Sequence, residues 1–371
     1  MDKSCLGSLP VQDSRLFWDL VSPRRLSNLA ESVSAKESRG PHAEFCPTRA
    51  LACISPVIHI TCEPRAITLT ARGLTFHLVD VFAESPYGGN ELAVVRDASR
   101  LSTNEMQKIA REFNFSETTF IITSENLGAK AARLFKVRIF TPARELPFAG
   151  HPTLGTAYVI QKFILGKRVP DVTLDLKIGR IPVTLIYGRD GELDRLWMRQ
   201  VEPTFEKERF SVKELSRVLG IGPEDIDPKF PIVEVSTGVP FIIVPLRNLD
   251  AVKRCRFDGK SQGELLRKMR KEGVLVFSPE AREAGDDLSV RVFVEAFGVP
   301  EDAATGSGNG CLAAYLSHYR YFRSEEVDAK VDQGHEIGRP SKIYLKVREE
   351  GGKLRVYVGG RVASVGVGKF E

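Results

Sequence analysis

The stretch from Val137 to Tyr158, VRIFTPARELPFAGHPTLGTAY, constrains the fold most, because a weaker copy returns from Val290 to Tyr315, VRVFVEAFGVPEDAATGSGNGCLAAY. In the first copy Arg138, on a strand pattern, leads to Glu145; five residues later comes Gly150, then a helical pattern containing Ala157 and Tyr158. In the second, Arg291 leads to Glu301, Gly306 follows at the same spacing of five, and a helix carries Ala314 and Tyr315. The helix positions after the glycines differ by one residue, so the copies have diverged. A strand, an ExxxxG corner and a helix recurring together predict a chain made of two similar halves.

At 371 residues there is room for two domains and a well-buried core. A hydrophobic fraction of 42% and a charged fraction of 27% exclude a disordered, collagen-like or disulfide-built chain. The net charge of +5 arises from 53 basic and 48 acidic residues that are interleaved. The densest basic cluster, Arg267, Lys268, Arg270 and Lys271, sits beside Glu264 and Glu272 and reads as a solvated helix face. Without an aromatic or Gly-rich RNA-binding motif beside it, no nucleic-acid partner is expected.

Cys5, Cys46, Cys53 and Cys62 lie in the first 62 residues without CxxC or Cys/His spacing, and only Cys255 and Cys311 follow. The body therefore reads as reduced and cytoplasmic. No apolar run approaches the ~18 residues that would span a bilayer, so no membrane segment is expected. The scattered histidines offer no HExxH or similar spacing, and no metal is predicted. Gly306, Gly308 and Gly310 fit neither GxGxxG nor a P-loop, which argues against a nucleotide.

Residues 1–73 are rich in Ser, Arg and Pro and lack periodicity. Arg24, Arg25, Ser27, Ser32, Ser34 and Arg39 resemble a transit peptide, but Asp13, Asp19, Glu31 and Glu37 are too many acids for one. The expectation is a poorly ordered extension or an upstream start. Regular patterns begin with a strand over Thr75–Phe82, a turn over 85–90 and a strand over Leu92–Val95. A helix over Ser102–Phe113 follows, capped by Ser102, with Met106, Ile109, Ala110 and Phe113 on one face.

Strands are predicted at Thr118–Thr123 and Arg133–Thr141, and a helix at Pro152–Phe163 with Pro152 at its first position. Three strands within Val172–Arg199 complete the first half. The second half offers helices at Val212–Leu219, Gln262–Lys271 and Gly308–Tyr319. Its strands fall near Ile232–Val235, Val239–Pro245, Val274–Phe277 and Leu288–Val294, with three more within Ile343–Val367. The class is α+β with many antiparallel connections.

The runs FHLVDVFAESPYGGNELAVV (76–95), MQKIAREFNFSETTFI (106–121), RIFTPARELPFAGHPTLGTA (138–157) and EDAATGSGNG (301–310) closely resemble the PhzF, or phenazine-biosynthesis-like, family. The resemblance covers nearly everything from Thr75 onward and leaves the first 73 residues uncovered. It implies the diaminopimelate epimerase-like fold: two pseudo-symmetric domains, each a mostly antiparallel curled, barrel-like sheet around a central helix. The implied division is 74–200 and 201–371, with the chain end free to cross back, and the site lies in the cleft between the two. Homodimer formation is expected from the same resemblance.

Read locally, Glu117 is an edge-strand carboxylate, His151 a residue in a GHP helix corner, Asp302 a turn residue and Ser307 a helix cap. The resemblance makes Glu117 the general acid/base, with His151 and Asp302 as further catalytic residues. It makes Ser116, Gly150, Gly306 and Ser307 contacts for a small carboxylate-bearing substrate. Two helix N-termini facing one cleft would suit that carboxylate, and a desolvated Glu117 would both take and return a proton. The expected chemistry needs no cofactor.

Epimerases and racemases of this fold use one cysteine from each half, and here Ala149 and Thr305 stand in those places. Cys311 lies deeper in its helix as a small buried side chain. An isomerase is therefore expected, with an amino-acid epimerase or racemase, or a non-catalytic small-acid binder, as the alternatives.

Overall fold

A computed structural model describes residues 71–124, 133–206, 210–257, 273–294 and 299–371. The extension through residue 70 and the basic helix expected at 262–271 lie outside the described residues. The first half runs β1 (Thr75–Val81), β2 (Asn90–Val95), α1 (Thr103–Phe113), β3 (Glu117–Ser124), β4 (Leu134–Phe140) and β5 (Glu145–Leu146). It continues with α2 (Gly150–Val159), β6 (Asp171–Leu176), β7 (Gly179–Tyr187) and β8 (Leu193–Arg199).

The second half opens with β9 (Thr204–Glu206), α3 (Val212–Leu219), β10 (Val233–Ser236), β11 (Pro240–Pro245), α4 (Leu249–Arg254), β12 (Gly273–Ser278) and β13 (Leu288–Val294). Then come β14 (Val299–Asp302), α5 (Gly306–His318), β15 (Val327–Gln333), β16 (Ser341–Glu350), β17 (Lys353–Gly360) and β18 (Val362–Lys369).

The repeat in sequence is a repeat in topology. β1–β2, β3–β4, β6–β7 and β7–β8 pair antiparallel, while β2–β3 and β4–β6 pair parallel. The second half matches this with β10–β11, β12–β13, β15–β16 and β16–β17 antiparallel and β11–β12 and β13–β15 parallel. A parallel pair needs a long crossover, and α2 and α5 supply it at equivalent places. β9 pairs with β10, β18 with β1, and β8 with β17, so the strands of the described residues form one continuous ladder.

Strands from across the first half pack on α2, and strands from across the second pack on α5, so the sheet curls about each helix. Every residue of α2 is buried, as is α5 apart from Ser307 and His318. A helix enclosed on all sides carries no polar stripe. The outer faces are covered in turn: α1 packs on Val95, Phe120 and Phe140, and α3 and α4 pack on Ile242, Val244, Val274 and Val276. Inward residues of the same strands, such as Phe241, Ile243 and Leu275, join the central core. These strands are covered on both faces and read as unbroken apolar runs.

α1 forms as expected. Ser102 Oγ accepts from Glu105 N–H while the Glu105 carboxylate takes the Ser102 N–H, and Asn114 in the left-handed region ends the helix. α2 starts at Gly150, so Pro152 is its third residue, where the missing N–H is still one the helix would leave unpaired. α5 starts at Gly306, two residues before the expected Gly308, and its cap is Thr305 and not Ser307. β5, β9, β14, β15 and α4 were not anticipated.

Candidate active site

The two central helices begin where the two copies of the motif converge. Arg138 holds Glu145 through two hydrogen bonds of 2.8 Å, and Arg291 holds Glu301 through bonds of 2.9 and 2.7 Å. Each fork-to-fork pair ties a long strand to the short strand folded back on it, β4 to β5 and β13 to β14. The chain leaving each hairpin then enters its helix. Gly155 lets α2 sit deep against the sheet, since a Cβ there would come within 2.6 Å of Leu92 and 2.7 Å of Val81.

The N-termini of α2 and α5 meet: a Cβ on Gly150 would stand 3.5 Å from both Gly306 Cα and the backbone nitrogen of Ser307. Neither Ala149 nor Thr305 caps its helix with a side chain. Two sets of helix-terminal N–H groups, with their partial positive charge, therefore point toward one place, an arrangement that attracts an anion.

Glu117 opens β3 and His151 is the second residue of α2. Glu117 Oε2 stands 3.2 Å from His151 Nε2, and the two side chains are only 15% and 7% exposed. Their alignment does not make a hydrogen bond, so both atoms are buried without a partner. Burial pulls His151 down to about 3, opposed only in part by the backbone of Glu91, so the ring is neutral with Nε2 unpartnered.

Burial, and then the charge of Asp302, push Glu117 up to about 8, with the Ser116 hydroxyl opposing them. Glu117 is thus largely protonated at neutral pH, yet within reach of ionisation. Asp302 is also raised by burial, but its oxygens are better supplied with donors. Thr305 Oγ1 donates to Oδ2 at 2.6 Å and Asn90 Nδ2 to Oδ1 at 2.8 Å. With these donors the negative charge of the pair is better held on Asp302 than on Glu117, whose oxygen beside His151 has none.

All seven residues singled out in the sequence lie around this meeting point. Ser116 reaches Asp302 through Asn90, whose Oδ1 accepts from Ser116 Oγ at 3.1 Å. Ser307 contributes its backbone nitrogen beside Gly150 and keeps its side chain partly exposed. Sequence reasoning missed Asn90, Thr305 as an Asp302 donor, and Gln333, which donates to Thr305 Oγ1 at 3.1 Å and accepts from Asn309 at 2.8 Å. It also missed Phe82, a buried residue at φ 63 whose ring lies 3.3 Å from where a Cβ on Gly306 would be. A bulky residue held at positive φ is a mark of local constraint and was invisible in the strand pattern.

Among the described residues, no three His, Cys, Asp or Glu side chains are gathered as a metal would require, and no helix is long and apolar enough to cross a membrane. Cys311 is buried against Thr237, and burial pushes its thiol up to about 12.

A family model described as phenazine biosynthesis-like protein matches residues 79–368. The trans-2,3-dihydro-3-hydroxyanthranilate isomerase of Pseudomonas chlororaphis is 35% identical over 292 residues, 78% of this chain and 97% of that protein. The uncharacterized isomerase YfhB of Bacillus subtilis is 33% identical over 282 residues, 76% of this chain and 93% of its own length. Among solved structures, a PhzF-family phenazine biosynthesis protein of Bacillus anthracis matches with a TM-score of 0.73 at 28% identity, covering 81% of this chain and 99% of that one. A predicted epimerase from Pseudomonas aeruginosa matches with a TM-score of 0.66 at 30% identity, covering 80% and 99%.

Proposed function

The chain belongs to the phenazine biosynthesis-like family, whose curated members named above are isomerases, and we propose that it moves a proton within a small carboxylate-bearing substrate, with Glu117 as general acid/base. One observation carries this reading: a nearly buried Glu117 is pushed up to about 8 and keeps an unpartnered oxygen beside His151. The ionised carboxylate takes a proton from one carbon; the resulting acid returns it to another, and nothing is gained or lost overall. The N-termini of α2 and α5, with Gly150, Gly306 and Ser307, hold the substrate carboxylate, and Asp302 holds a cationic or polar group. His151, held neutral by burial and with Nε2 unpartnered, is left to bond the substrate.

Two sources guide the choice of substrate: the site chemistry, and the substrate in the name of the Pseudomonas relative. The test is a panel of small unsaturated carboxylates that includes trans-2,3-dihydro-3-hydroxyanthranilate. Binding is read by thermal shift, and proton movement by NMR in deuterium oxide. Deuterium at a new carbon position, lost in Glu117→Gln, is the expected result. No carboxylate binding, or undiminished exchange in the variant, would sink the proposal.

The resemblance to a predicted epimerase raises a second reading, in which Glu117 and His151 act as opposed bases on one stereocentre. Two bases flanking a carbon need ~6 Å between them, since each reacting pair is ~3 Å apart. The 3.2 Å between Glu117 and His151 leaves no room for that carbon, which favours the single-residue proton shift. Label at the original stereocentre, starting from either enantiomer, would instead support the epimerase.

A further inference from the structure

We propose that Asn90 is a positioning residue of this site, joining Ser116 of the first half to Asp302 of the second and so fixing how the two acidic side chains are supplied with hydrogen bonds. The inference rests on the acid/base reading of Glu117 given above. Asn90 is the first residue of β2 and is almost fully buried. Its amide nitrogen donates to Asp302 Oδ1 at 2.8 Å and to the Ala304 carbonyl at 3.1 Å, across more than two hundred positions of sequence. Its amide oxygen accepts from Ser116 Oγ at 3.1 Å. Both amide hydrogens and the oxygen are thus engaged, which fixes the side-chain orientation.

The turn that presents Asn90 is itself clamped by the second half. Arg339 donates to Asp80 at 2.7 Å, to the Gly88 carbonyl at 2.7 Å and to the Gly89 carbonyl at 3.0 Å. Gly89 N–H donates to the Pro340 carbonyl at 2.9 Å. Gly89 has φ 64, and a Cβ there would stand 2.3 Å from the Val81 carbonyl, so only glycine makes the corner. Asn90 therefore meets Asp302 only when the two halves are drawn together at this turn.

The consequence for the site is a matter of counting protons. Ser116 has one hydroxyl hydrogen and two acceptors in reach, Asn90 Oδ1 and the Glu117 carboxylate. Asn90 competes with the Glu117 carboxylate for that hydrogen, which weakens the one influence that lowers Glu117, and gives a hydrogen of its own to Asp302. It thus favours the proton on Glu117 and the charge on Asp302. Removing it should shift the two carboxyls in opposite directions: Glu117 falls as the Ser116 hydrogen is left to it alone, and Asp302 rises as it loses a donor.

The test is a carbon-13 titration of the side-chain carboxyls in the full chain, with the two signals assigned through Glu117→Gln and Asp302→Asn. In Asn90→Ala, Asp302 is expected to titrate about one pH unit higher and Glu117 about one lower, the worth of one hydrogen bond each. Asn90→Leu keeps the volume but loses donor and acceptor without adding a charge; should the alanine variant not fold, the same opposite shifts are expected in this one. A merely structural role would admit water and lower both carboxyls together. That result, or an unmoved Asp302 in a folded variant, would overturn the proposal. Because the titration needs no turnover, it fails independently of the isomerase reading: opposite shifts without proton exchange on any substrate would retire that reading and keep this one.

Discussion

Gly150 and Gly306 face each other at the starts of α2 and α5, with Gly306 Cα 3.5 Å from where a Cβ on Gly150 would be. That is ordinary contact, so Gly150→Ala should fold normally and alter stability by less than ~1 kcal/mol. The added methyl nevertheless occupies the gap between two uncapped helix ends, where a substrate carboxylate would sit. KM should rise at least ~10-fold at unchanged Tm, since losing one charge-assisted hydrogen bond costs ~1.5–3 kcal/mol. Gly306→Ala is the contrasting case: its Cβ would press to 3.3 Å on the Phe82 ring, and overpacking of ~1–3 kcal/mol should lower Tm as well. Equal KM in Gly150→Ala and the native protein would remove the helix ends from substrate binding.

The two Arg–Glu braces are alike in geometry and unlike in environment. Arg138 and Glu145 are about a quarter exposed, whereas Arg291 and Glu301 are 5% and 10% exposed. Glu145→Gln should therefore cost ~1 kcal/mol or less, as partly solvated pairs do. Glu301→Gln removes the charge that pairs a buried guanidinium and leaves it an amide oxygen, the carbonyls of Val252, Lys253 and Cys255, the Phe293 ring and a distant Glu336, and should cost ~3 kcal/mol or more. Urea unfolding of the two variants at equal m-value compares them directly; similar losses would contradict the burial argument.

The braces also show what the sequence could and could not reveal. Arg138 with Glu145 and Arg291 with Glu301 were legible as a spacing, because the repeat preserves ExxxxG although the Arg-to-Glu distance differs between copies. α1 was legible through Ser102, Glu105 and its apolar face. β15 was equally legible, since Val327, Ala329 and Val331 alternate with exposed Asp328 and Lys330, and it was overlooked. β5 spans two residues, too short for any periodicity. The start of α2 was misplaced because a helix buried on every side has no amphipathic pattern to mark it. Asn90 looked like a turn residue, as its partners Ser116 and Asp302 come from other elements and no local pattern announces them.

Neither buried thiol takes part in the chemistry proposed. Burial pushes Cys255 and Cys311 each up to about 12, so almost no thiolate is present at neutral pH. Iodoacetamide should leave turnover unchanged in the folded protein, and Cys311→Ser should stay active. Activity that falls in step with alkylation of Cys311, followed by peptide mapping, would return the thiol-based racemase to consideration.

The pH dependence of turnover follows from which form of Glu117 begins the reaction. A base that removes a proton must be ionised, and Glu117 is raised to about 8, so kcat/KM should climb through neutral pH and level off above about 8. His151 stays neutral throughout, since it lies at about 3. A profile that falls above 8 would mean that protonated Glu117 acts first, and would reverse the order of the two proton transfers.

Stability should respond to the same group with the opposite preference. Glu117 titrates at about 8 in the folded protein against 4.5 as an ordinary glutamate, so between those values the native state holds a proton the unfolded chain has lost. Its contribution is most favourable below 4.5, declines as pH rises to 8 and is constant beyond. Glutamine cannot ionise, so Glu117→Gln should match the native protein near pH 4.5 and become progressively more stable than it, by up to ~5 kcal/mol, at pH 8 and above. His151 works the other way between about 3 and 6.5, but it is present in both proteins and cancels in the comparison. Thermal melts of the two proteins from pH 5 to 9 test this; a constant difference would mean that Glu117 is not held protonated by its surroundings. The same variant should lose ~10²–10⁴-fold in turnover, the worth of a positioned general acid/base. Greater stability together with lost turnover is what distinguishes a carboxylate buried for chemistry from one that holds the fold together.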